Sequence, residues 1–204
     1  MKHLSRLIAC AAAIAMVAGG LTGCATKRDT RNKMIVSVRD QRMLLVRDGK
    51  PVKTYKVSTS KYGVGDFPGS YRTPLGRMEV AKKIGNHAPK GAVFKHRRRT
   101  GEVLKPNAPG RDPIVTRILW LKGKERRNRR AFRRFIYIHG TPEEWRLGHP
   151  ASYGCIRMGS RDIVDLYKRI GVGAEIHVVR GSLLSTPQGK AYAEAHPGKL
   201  KPEA

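Results

Sequence analysis

The stretch MIVSVRDQRMLLVRDGKPVKTYKVSTS, residues 34–60, predicts a meander of β-strands at the start of the folded part of the chain. Apolar residues cluster within 35–38 and 43–46, and they alternate with polar residues over 52–57. The pair Asp48-Gly49 between the second and third segments is a strong hairpin signal, because both residues tolerate the left-handed backbone of a tight turn. The pattern favours an antiparallel sheet.

The rest of the chain continues mainly in short strands. We expect further strands within 76–85, 113–121, 135–140 and 174–181. Apolar residues at helical spacing over 162–170 predict one short helix, with Ser160 placed to cap it and Gly171 to end it. Many short strands and a single helix predict a mainly β domain, either a sandwich or a barrel. Residues 182–204 form a polar C-terminal tail, which carries a short helix near 191–195 or stays disordered.

The first two dozen residues are typical of a bacterial export signal. Basic residues precede an apolar run at 7–17 that is too short to span a bilayer, which needs about 20 residues. The segment LTGC, residues 21–24, resembles the lipobox of bacterial lipoproteins, whose cysteine becomes the lipidated first residue of the mature chain. We predict a lipoprotein signal peptide at 1–23, lipidation of Cys24 and a charged tether at 24–33. The alternative is an ordinary secretory signal with a chance cysteine at its end.

Export and lipidation would place the protein in the cell envelope, held on a membrane through Cys24. Two acyl chains anchor a protein stably, whereas a single chain binds only marginally. The residue after Cys24 is Ala25 rather than an aspartate. By analogy with lipoprotein sorting, this favours the periplasmic side of the outer membrane, if the cell has one.

The chain is strongly basic. It has 42 Lys and Arg against 15 Asp and Glu, a formal net charge of +27, and residues 82–134 hold 18 of the basic residues against three acidic ones. We interpret 86–134 as a basic insertion that contains one strand. Such an excess attracts anionic partners, here wall polymers or lipid headgroups, although charge runs are also common on solvated surfaces. Export argues against nucleic acid as a partner.

Cysteine usage singles out one residue. Cys10 would leave with the signal and Cys24 would carry lipid, so Cys155 is the one free thiol of the mature chain. It is either a reactive group or a small buried residue. His139 stands 16 residues earlier, at the end of the strand FIYIHG, and an imidazole beside a thiol makes a nucleophile with its own base. Gly154 allows a tight turn that exposes the sulfur and frees backbone N–H groups for an oxyanion.

These residues carry a family resemblance. The pattern IHGTPEEW…HPASYGCIRM, within residues 138–158, resembles the signature of the L,D-transpeptidases with a YkuD-type catalytic domain. GSYRTPLGRMEV, residues 69–80, resembles the Thr-Pro-x-Gly strand entry of the same domain, and the opening hairpin is also similar. The resemblance spans about 35–180. It therefore assigns residues 34–181 to a catalytic domain that includes the basic insertion.

The resemblance implies cell-wall chemistry on peptidoglycan stem peptides. Family members use the cysteine to attack the bond between the third residue of a stem peptide and its terminal D-alanine, and then pass the acyl group to an amine or to water. Carried onto this chain, Cys155 is the nucleophile, His139 the base and Gly140 the residue whose carbonyl orients the imidazole. The amides of Gly154 and Cys155 would form the oxyanion hole.

The substrate-binding candidates are Arg157, Tyr153, Tyr71, Ser152 and Trp145. For Arg157, the sequence leaves a structural salt bridge open as the alternative to binding a substrate carboxylate.

One position departs from the family pattern. Tyr153 stands where the family has a second histidine, and a tyrosine hydroxyl with a pKa of about 10 is no base near neutral pH. Two alternatives stay open: a cysteine hydrolase that trims the stem peptide, and a non-catalytic basic lipoprotein that binds the wall. The pairing of His139 with Cys155 predicts a thiol that ionises below its ordinary pKa of about 8.5. The histidines and cysteines lack metal-ligand spacing and no phosphate loop is present, so we predict neither a metal nor a cofactor.

Overall fold

The computed structural model describes residues 27–200, so the predicted signal peptide, Cys24 and the last four residues lie outside it. The strands are β1 (Asn32–Ser37), β2 (Arg42–Arg47), β3 (Lys50–Ser58), β4 (Gly76–Ile84), β5 (Ala92–Lys95), β6 (Arg98–Val103), β7 (Ile114–Gly123), β8 (Tyr137–Gly140), β9 (Ile156–Met158) and β10 (Glu175–Val179). The α-helices are α1 (Ser160–Arg169) and α2 (Pro187–Ala195), and short 3-10 helices lie at Arg126–Asn128, Glu144–Arg146 and Leu183–Ser185. Within residues 27–200 no helix is long and apolar enough to cross a bilayer.

The strands form one sheet that closes on itself. Its order is β4-β10-β1-β2-β3-β9-β8-β7-β5-β6, and β4 also pairs with β7. This last pairing closes the first eight strands of that order into a barrel and leaves β5 and β6 as a hairpin outside the ring. The pairs β1–β10 and β8–β9 are parallel. The predicted mainly β fold is confirmed, in its barrel form.

Side-chain alternation fills the barrel and covers its outside. Met34 and Val36 of β1 point into the barrel core, whereas Ile35 between them joins a second apolar cluster outside. The predicted hairpin between β2 and β3 is confirmed, because Asp48 and Gly49 both have a positive φ, 50° and 77°. Helix α1 completes the main core with its buried apolar face, as its residue spacing predicts.

The basic stretch is more regular than predicted. Residues 86–134 contain β5, β6 and β7 rather than one strand. β7 has ten residues and pairs with β4, β5 and β8, and its apolar residues such as Ile118 and Leu119 are buried. In contrast, every residue of β6 is exposed. The charge of β6 therefore lies on the outer hairpin, while β7 is part of the barrel wall.

The C-terminal segment packs on the barrel. α2 spans Pro187–Ala195, so of the two alternatives for the tail the short helix is observed, and it begins before residue 191. Leu183 and Tyr192 of this segment pack against Leu44 and Val46 on the outer face of β2. The physical reason is that β2 is apolar on both faces, and its outer face has to be covered by another element.

Candidate functional site

Two neighbouring parallel strands bring the predicted site residues together. His139 of β8 pairs in register with Arg157 of β9, so Cys155, two residues earlier in the chain, lies beside Tyr137. Side chains alternate between the two faces of a sheet, which puts His139 and Cys155 on the same face, offset by two positions. Diagonal neighbours of this kind are about 7–8 Å apart, within reach of an aromatic side chain.

The two faces of β8 pack into different environments. Ile138 points into the barrel core, whereas Tyr137 packs with Ile118 and Trp120 in a smaller cluster that Cys155 also contacts. This explains why FIYIHG is apolar at nearly every position, since both faces of the strand are covered. The imidazole and the thiol therefore lie on the face turned away from the barrel core.

Gly140 holds the imidazole in one orientation. His139 is 4% exposed, and its Nδ1 lies 2.8 Å from the carbonyl oxygen of Gly140. A carbonyl oxygen only accepts, so Nδ1 carries the proton and Nε2 remains unprotonated, ready to accept one. Residue 140 has to be glycine, because a Cβ there would lie 2.7 Å from the carbonyl oxygen of Val115 on β7.

Cys155 opens on a cleft of about 300 Å³. The residue is half-buried, and its Sγ lies 3.5 Å from the carbonyl oxygen of Phe135. The lining residues are Pro68, Gly69, Tyr71, Arg133, Arg134, Phe135, Ile136, Tyr153 and Cys155. Two of these described residues are arginines and none is acidic. Arg134 is compensated by Asp66, so Arg133 is the residue through which this lining favours an anionic ligand.

Burial keeps both partners of the histidine–cysteine pair neutral. Desolvation lowers the pKa of His139 to about 4, although its hydrogen bond to Gly140 acts in the opposite direction. Burial likewise raises the pKa of Cys155 to about 11, against the lowering effects of the Tyr137 backbone and of Arg157. This corrects the expectation of a thiol that ionises below its ordinary pKa. The resting site is a neutral thiol beside a neutral imidazole.

The alkylation rate of Cys155 should therefore rise steeply with pH. We expect the rate with iodoacetamide to increase about tenfold per pH unit from pH 7 to 9 without levelling off, because only the thiolate reacts and the pKa lies near 11. Stopped-flow or mass-spectrometric rates would measure this, with the urea-unfolded protein as the control that shows an ordinary thiol pKa of about 8.5. A rate that levels off below pH 8 in the folded protein would instead reveal a stabilised thiolate.

Arg157 is held in a buried ion-pair network. Its guanidinium lies 2.5 Å from the carboxylate of Asp112 and 3.3 Å from that of Glu143, and the side chain is 6% exposed. Asp112 also accepts a hydrogen bond from the Thr141 hydroxyl. The charge of Arg157 is thus compensated inside the protein. The geometry favours the structural salt bridge that the sequence left open over a contact with a substrate carboxylate.

The turn before Cys155 is fixed by side-chain hydrogen bonds. The Ser152 hydroxyl donates to the carbonyl oxygen of Cys155 at 2.5 Å and accepts from the Gly154 N–H at 3.2 Å. Thr73 donates to the carbonyl of Gly154 at 3.1 Å, and Gly154 itself has a φ of +117°. Ser152, a predicted substrate contact, is instead buried and shapes the turn. The Gly154 amide, a predicted oxyanion donor, already has an acceptor inside the protein.

The three predicted aromatic contacts occupy two different places. Tyr71 and Tyr153 line the cysteine cleft and are more than half exposed. Trp145 is also exposed, but it lines a separate cavity of about 370 Å³ together with Lys61 and His149. The structure therefore places Tyr71 and Tyr153 next to Cys155 and places Trp145 outside that cleft.

Sequence reasoning missed the residues that hold the wall of the cleft. Arg134 forms a buried ion pair with Asp66 at 3.0 Å and donates to the carbonyl oxygens of Gly65 and Arg72. These contacts attach the loop 65–72 to the segment that leads into β8, next to Cys155. The partners of Arg157 were missed as well. Asp112 could have been found, because it is one of only three acidic residues in the basic stretch 82–134.

Fold and site together define a class of protein, a closed β-barrel domain that holds a buried histidine and a cysteine on one face beside a cleft. The family model described as YkuD, L,D-transpeptidase catalytic domain, matches residues 31–178. This match covers well over half of the chain, and the protein therefore belongs to the YkuD L,D-transpeptidase family.

Individual relatives carry the same family name. The chain is 32% identical over 65 residues to "Probable L,D-transpeptidase YbiS" of Escherichia coli (strain K12), which covers 31% of this chain and 21% of that protein. It is 29% identical over 144 residues to "Putative L,D-transpeptidase YqjB" of Bacillus subtilis (strain 168), with 70% of this chain and 68% of that protein covered. The chain thus spans about a fifth of the length of YbiS.

Solved structures of similar fold include the L,D-transpeptidase (residues 123–326) from Xylanimonas cellulosilytica DSM 15894. The two chains share 18% sequence identity, the match covers 76% of this chain and 62% of that chain, and the TM-score is 0.47.

Proposed function

We propose that this protein is an L,D-transpeptidase that acts on peptidoglycan stem peptides through an acyl-enzyme on Cys155. The observation that carries the proposal is the placement of His139 and Cys155 on one face of neighbouring strands, with the imidazole fixed by Gly140 and the thiol at the cleft. An acyl transfer needs a nucleophile and a base in this relation. Membership of the YkuD family supports the reaction class.

In the first half of the reaction, Sγ of Cys155 attacks the carbonyl carbon that links the third stem residue, often meso-diaminopimelate, to the terminal D-alanine. Nε2 of His139 takes the thiol proton while the S–C bond forms. The backbone N–H of Cys155 donates to the tetrahedral oxyanion. The C–N bond then breaks, the imidazolium passes its proton to the amine of the leaving D-alanine, and a thioester remains on Cys155.

In the second half, an acceptor attacks the thioester. His139 takes a proton from the attacking amine of another stem peptide or of a protein, and the S–C bond breaks as Cys155 regains a proton. The product is a new amide bond, so the energy of the original peptide bond is retained in the cross-link. If water attacks instead, the product is a shortened stem peptide, as in the alternative of a cysteine hydrolase that trims the stem peptide.

Product analysis with and without an acceptor tests this function. We expect the protein to release D-alanine from a diaminopimelate-containing tetrapeptide and, when a stem peptide with a free amine is present, to form a cross-linked product detectable by mass spectrometry. A shortened peptide alone under both conditions would identify the hydrolase. No release of D-alanine, from folded protein whose thiol alkylates, would favour the non-catalytic wall-binding lipoprotein.

We also propose that the protein is exported and held on a membrane through lipidated Cys24, on the periplasmic side of the outer membrane where the cell has one. The LTGC segment at 21–24 supports this from the sequence, and it lies outside the described residues. A stem-peptide substrate agrees with that location. Globomycin-sensitive processing and labelling of Cys24 by an alkynyl fatty acid would test it, with Cys24→Ser as the control.

A concave site on the basic surface suits anionic wall polymers or lipid headgroups. A cavity of about 580 Å³ is lined by Gly65, Asp66, Phe67, Arg126, Arg127, Arg129 and Arg130. Asp66 is already paired with Arg134, while Glu125 beside the cavity is paired with Arg127. The arginines therefore outnumber their acidic neighbours, and we propose that this cavity carries the attraction to polyanions.

Removing charge from this cavity should weaken binding to the wall. We expect the double substitution Arg126→Gln and Arg129→Gln to reduce binding to isolated sacculi or to phosphatidylglycerol vesicles about 30-fold at low salt, because each basic residue near an anionic surface contributes about 1 kcal/mol. Co-sedimentation at increasing salt measures this, and binding should weaken as salt screens the charges. The matched control is Arg98→Gln with Arg99→Gln on exposed β6. Equal losses in both double variants would remove the cavity from the proposal.

A further inference from the structure

We infer that the Tyr153 hydroxyl is an oxyanion donor for Cys155 chemistry and that Lys61 is the residue that positions it. The inference rests on the proposed acyl transfer and deepens it, since Tyr153 occupies the place of the second histidine in the family pattern. A phenol cannot serve as the base that an imidazole would be, but it can donate a hydrogen bond. Lys61 carries no signal in the sequence that would assign it to the site.

Backbone pairing places the two residues next to each other. Ser60 forms a parallel bridge with Ser152, and the N–H of Lys61 donates to the carbonyl oxygen of Ser152 at 3.1 Å. Lys61 and Tyr153 are the residues that follow the bridged pair. Their side chains meet, with Nζ 3.1 Å from the tyrosine hydroxyl oxygen and 4.5 Å from the ring centroid. The contact is therefore set by the backbone as well as by the side chains.

In the hydrogen bond between Lys61 and Tyr153, the lysine is the donor and the tyrosine oxygen is the acceptor. An ammonium group has three donors and no acceptor, so Lys61 donates and the oxygen of Tyr153 accepts. The O–H of Tyr153 is left to donate to another group. A donor whose oxygen already accepts from a cation is polarised and forms a stronger hydrogen bond to an anion.

The tyrosine ring is also held in place beside Cys155. Tyr153 packs against Tyr62 and Tyr71 with ring centroids 5.7 and 5.9 Å away. Tyr71 has a φ of +54°, which is uncommon for a residue other than glycine, and its carbonyl accepts from the Ser60 hydroxyl at 2.5 Å. Tyr71, Tyr153 and Cys155 line the same cleft. The Tyr153 side chain and the Cys155 thiol therefore share one cleft, in which a group bound to Cys155 would lie.

The site needs such a donor because one backbone amide is already used. The Gly154 N–H donates to the hydroxyl of Ser152, so this predicted oxyanion donor is engaged inside the protein. Acyl-transfer sites generally direct two or more donors at the developing charge. The Tyr153 hydroxyl provides the second donor from the cleft side.

Single-turnover acylation of the full-length protein by a carbapenem tests the inference. We expect Tyr153→Phe to lower the acylation rate constant at saturation about 100-fold, the loss typical of one oxyanion donor. Lys61→Met should lower it about tenfold, as expected for losing a charged hydrogen bond that supports the donor. Lys50→Met is the matched control for Lys61→Met, because it removes an exposed lysine that does not line the cleft, and it should acylate like the wild type.

A rescue variant separates positioning from mere packing. Tyr153→His restores the family residue, so it should retain acylation and lose its sensitivity to Lys61→Met. Iodoacetamide labelling of Cys155 should be equal in all variants, which shows that the thiol and the fold are intact. Acylation of Tyr153→Phe at the wild-type saturating rate, or a change only in carbapenem affinity, would overturn the inference while leaving the proposed function standing. Failure of the wild type to acylate at all would overturn both.

Discussion

Replacing Cys155 with alanine should abolish the covalent adduct that the wild-type protein forms with a diaminopimelate-containing tetrapeptide or a carbapenem. Among the described residues that line the cleft, Cys155 is the one thiol, and it has a base on the same strand face, so we expect it to carry the acyl group. Loss of a catalytic nucleophile costs about 10⁶-fold in turnover. Intact-mass spectrometry measures the adduct directly. Persistence of the same mass increment in Cys155→Ala would show that a different residue is acylated.

The variant His139→Gln should fold like the wild type and lose most of its acylation rate. A glutamine amide can still donate to the carbonyl of Gly140, but it cannot take the thiol proton, and general-base catalysis contributes about 10²–10⁴-fold. Because the pKa of His139 is about 4, the wild-type acylation rate should be level from pH 5 to 8 and fall only as the imidazole gains a proton near pH 4. A wild-type profile that rises through pH 6 to 7 would mean that the imidazole is not neutral at rest.

A further large effect concerns stability. Arg157→Met should lower the free energy of unfolding by about 3–5 kcal/mol, because it leaves the carboxylate of Asp112 without its buried partner and Glu143 with Arg146 alone. Urea denaturation followed by circular dichroism measures this loss. Arg146→Met is the matched control, since Arg146 pairs with the same Glu143 at the same 3.3 Å from a half-exposed position. It should change stability by less than about 1 kcal/mol.

The two roles considered for Arg157 predict different results. If the residue is structural, Arg157→Met loses stability, and Asp112→Asn is also destabilised because the same network is broken. If it bound a substrate carboxylate instead, Arg157→Met would unfold at the wild-type urea concentration and show only a raised KM for the stem peptide. The second result would contradict the network as the main function of this side chain.

Local patterns predict candidate site residues that the structure brings together. Alternation over 34–60 and the Asp48-Gly49 turn predict the first three strands, because hairpin pairing depends on neighbouring residues. The strand FIYIHG predicts His139 at a strand end, and the glycine-flanked Cys155 predicts an accessible thiol. Helix α2 and strands β5 and β6 were predicted less well, because they form by covering surfaces that distant strands create.

Residue patterns alone predict most of the short strands, the order of His139 and Cys155 along the chain, and the family signature that contains them. Tertiary structure alone decided which carboxylates hold Arg157, which residue contacts Tyr153, and how far burial raises the pKa of the Cys155 thiol and lowers that of His139. Strand periodicity and turn signals act between neighbours in sequence, so they can be read from the chain. Ion pairing and desolvation depend on residues that meet only when the barrel closes, as Lys61 and Tyr153 do across 92 positions.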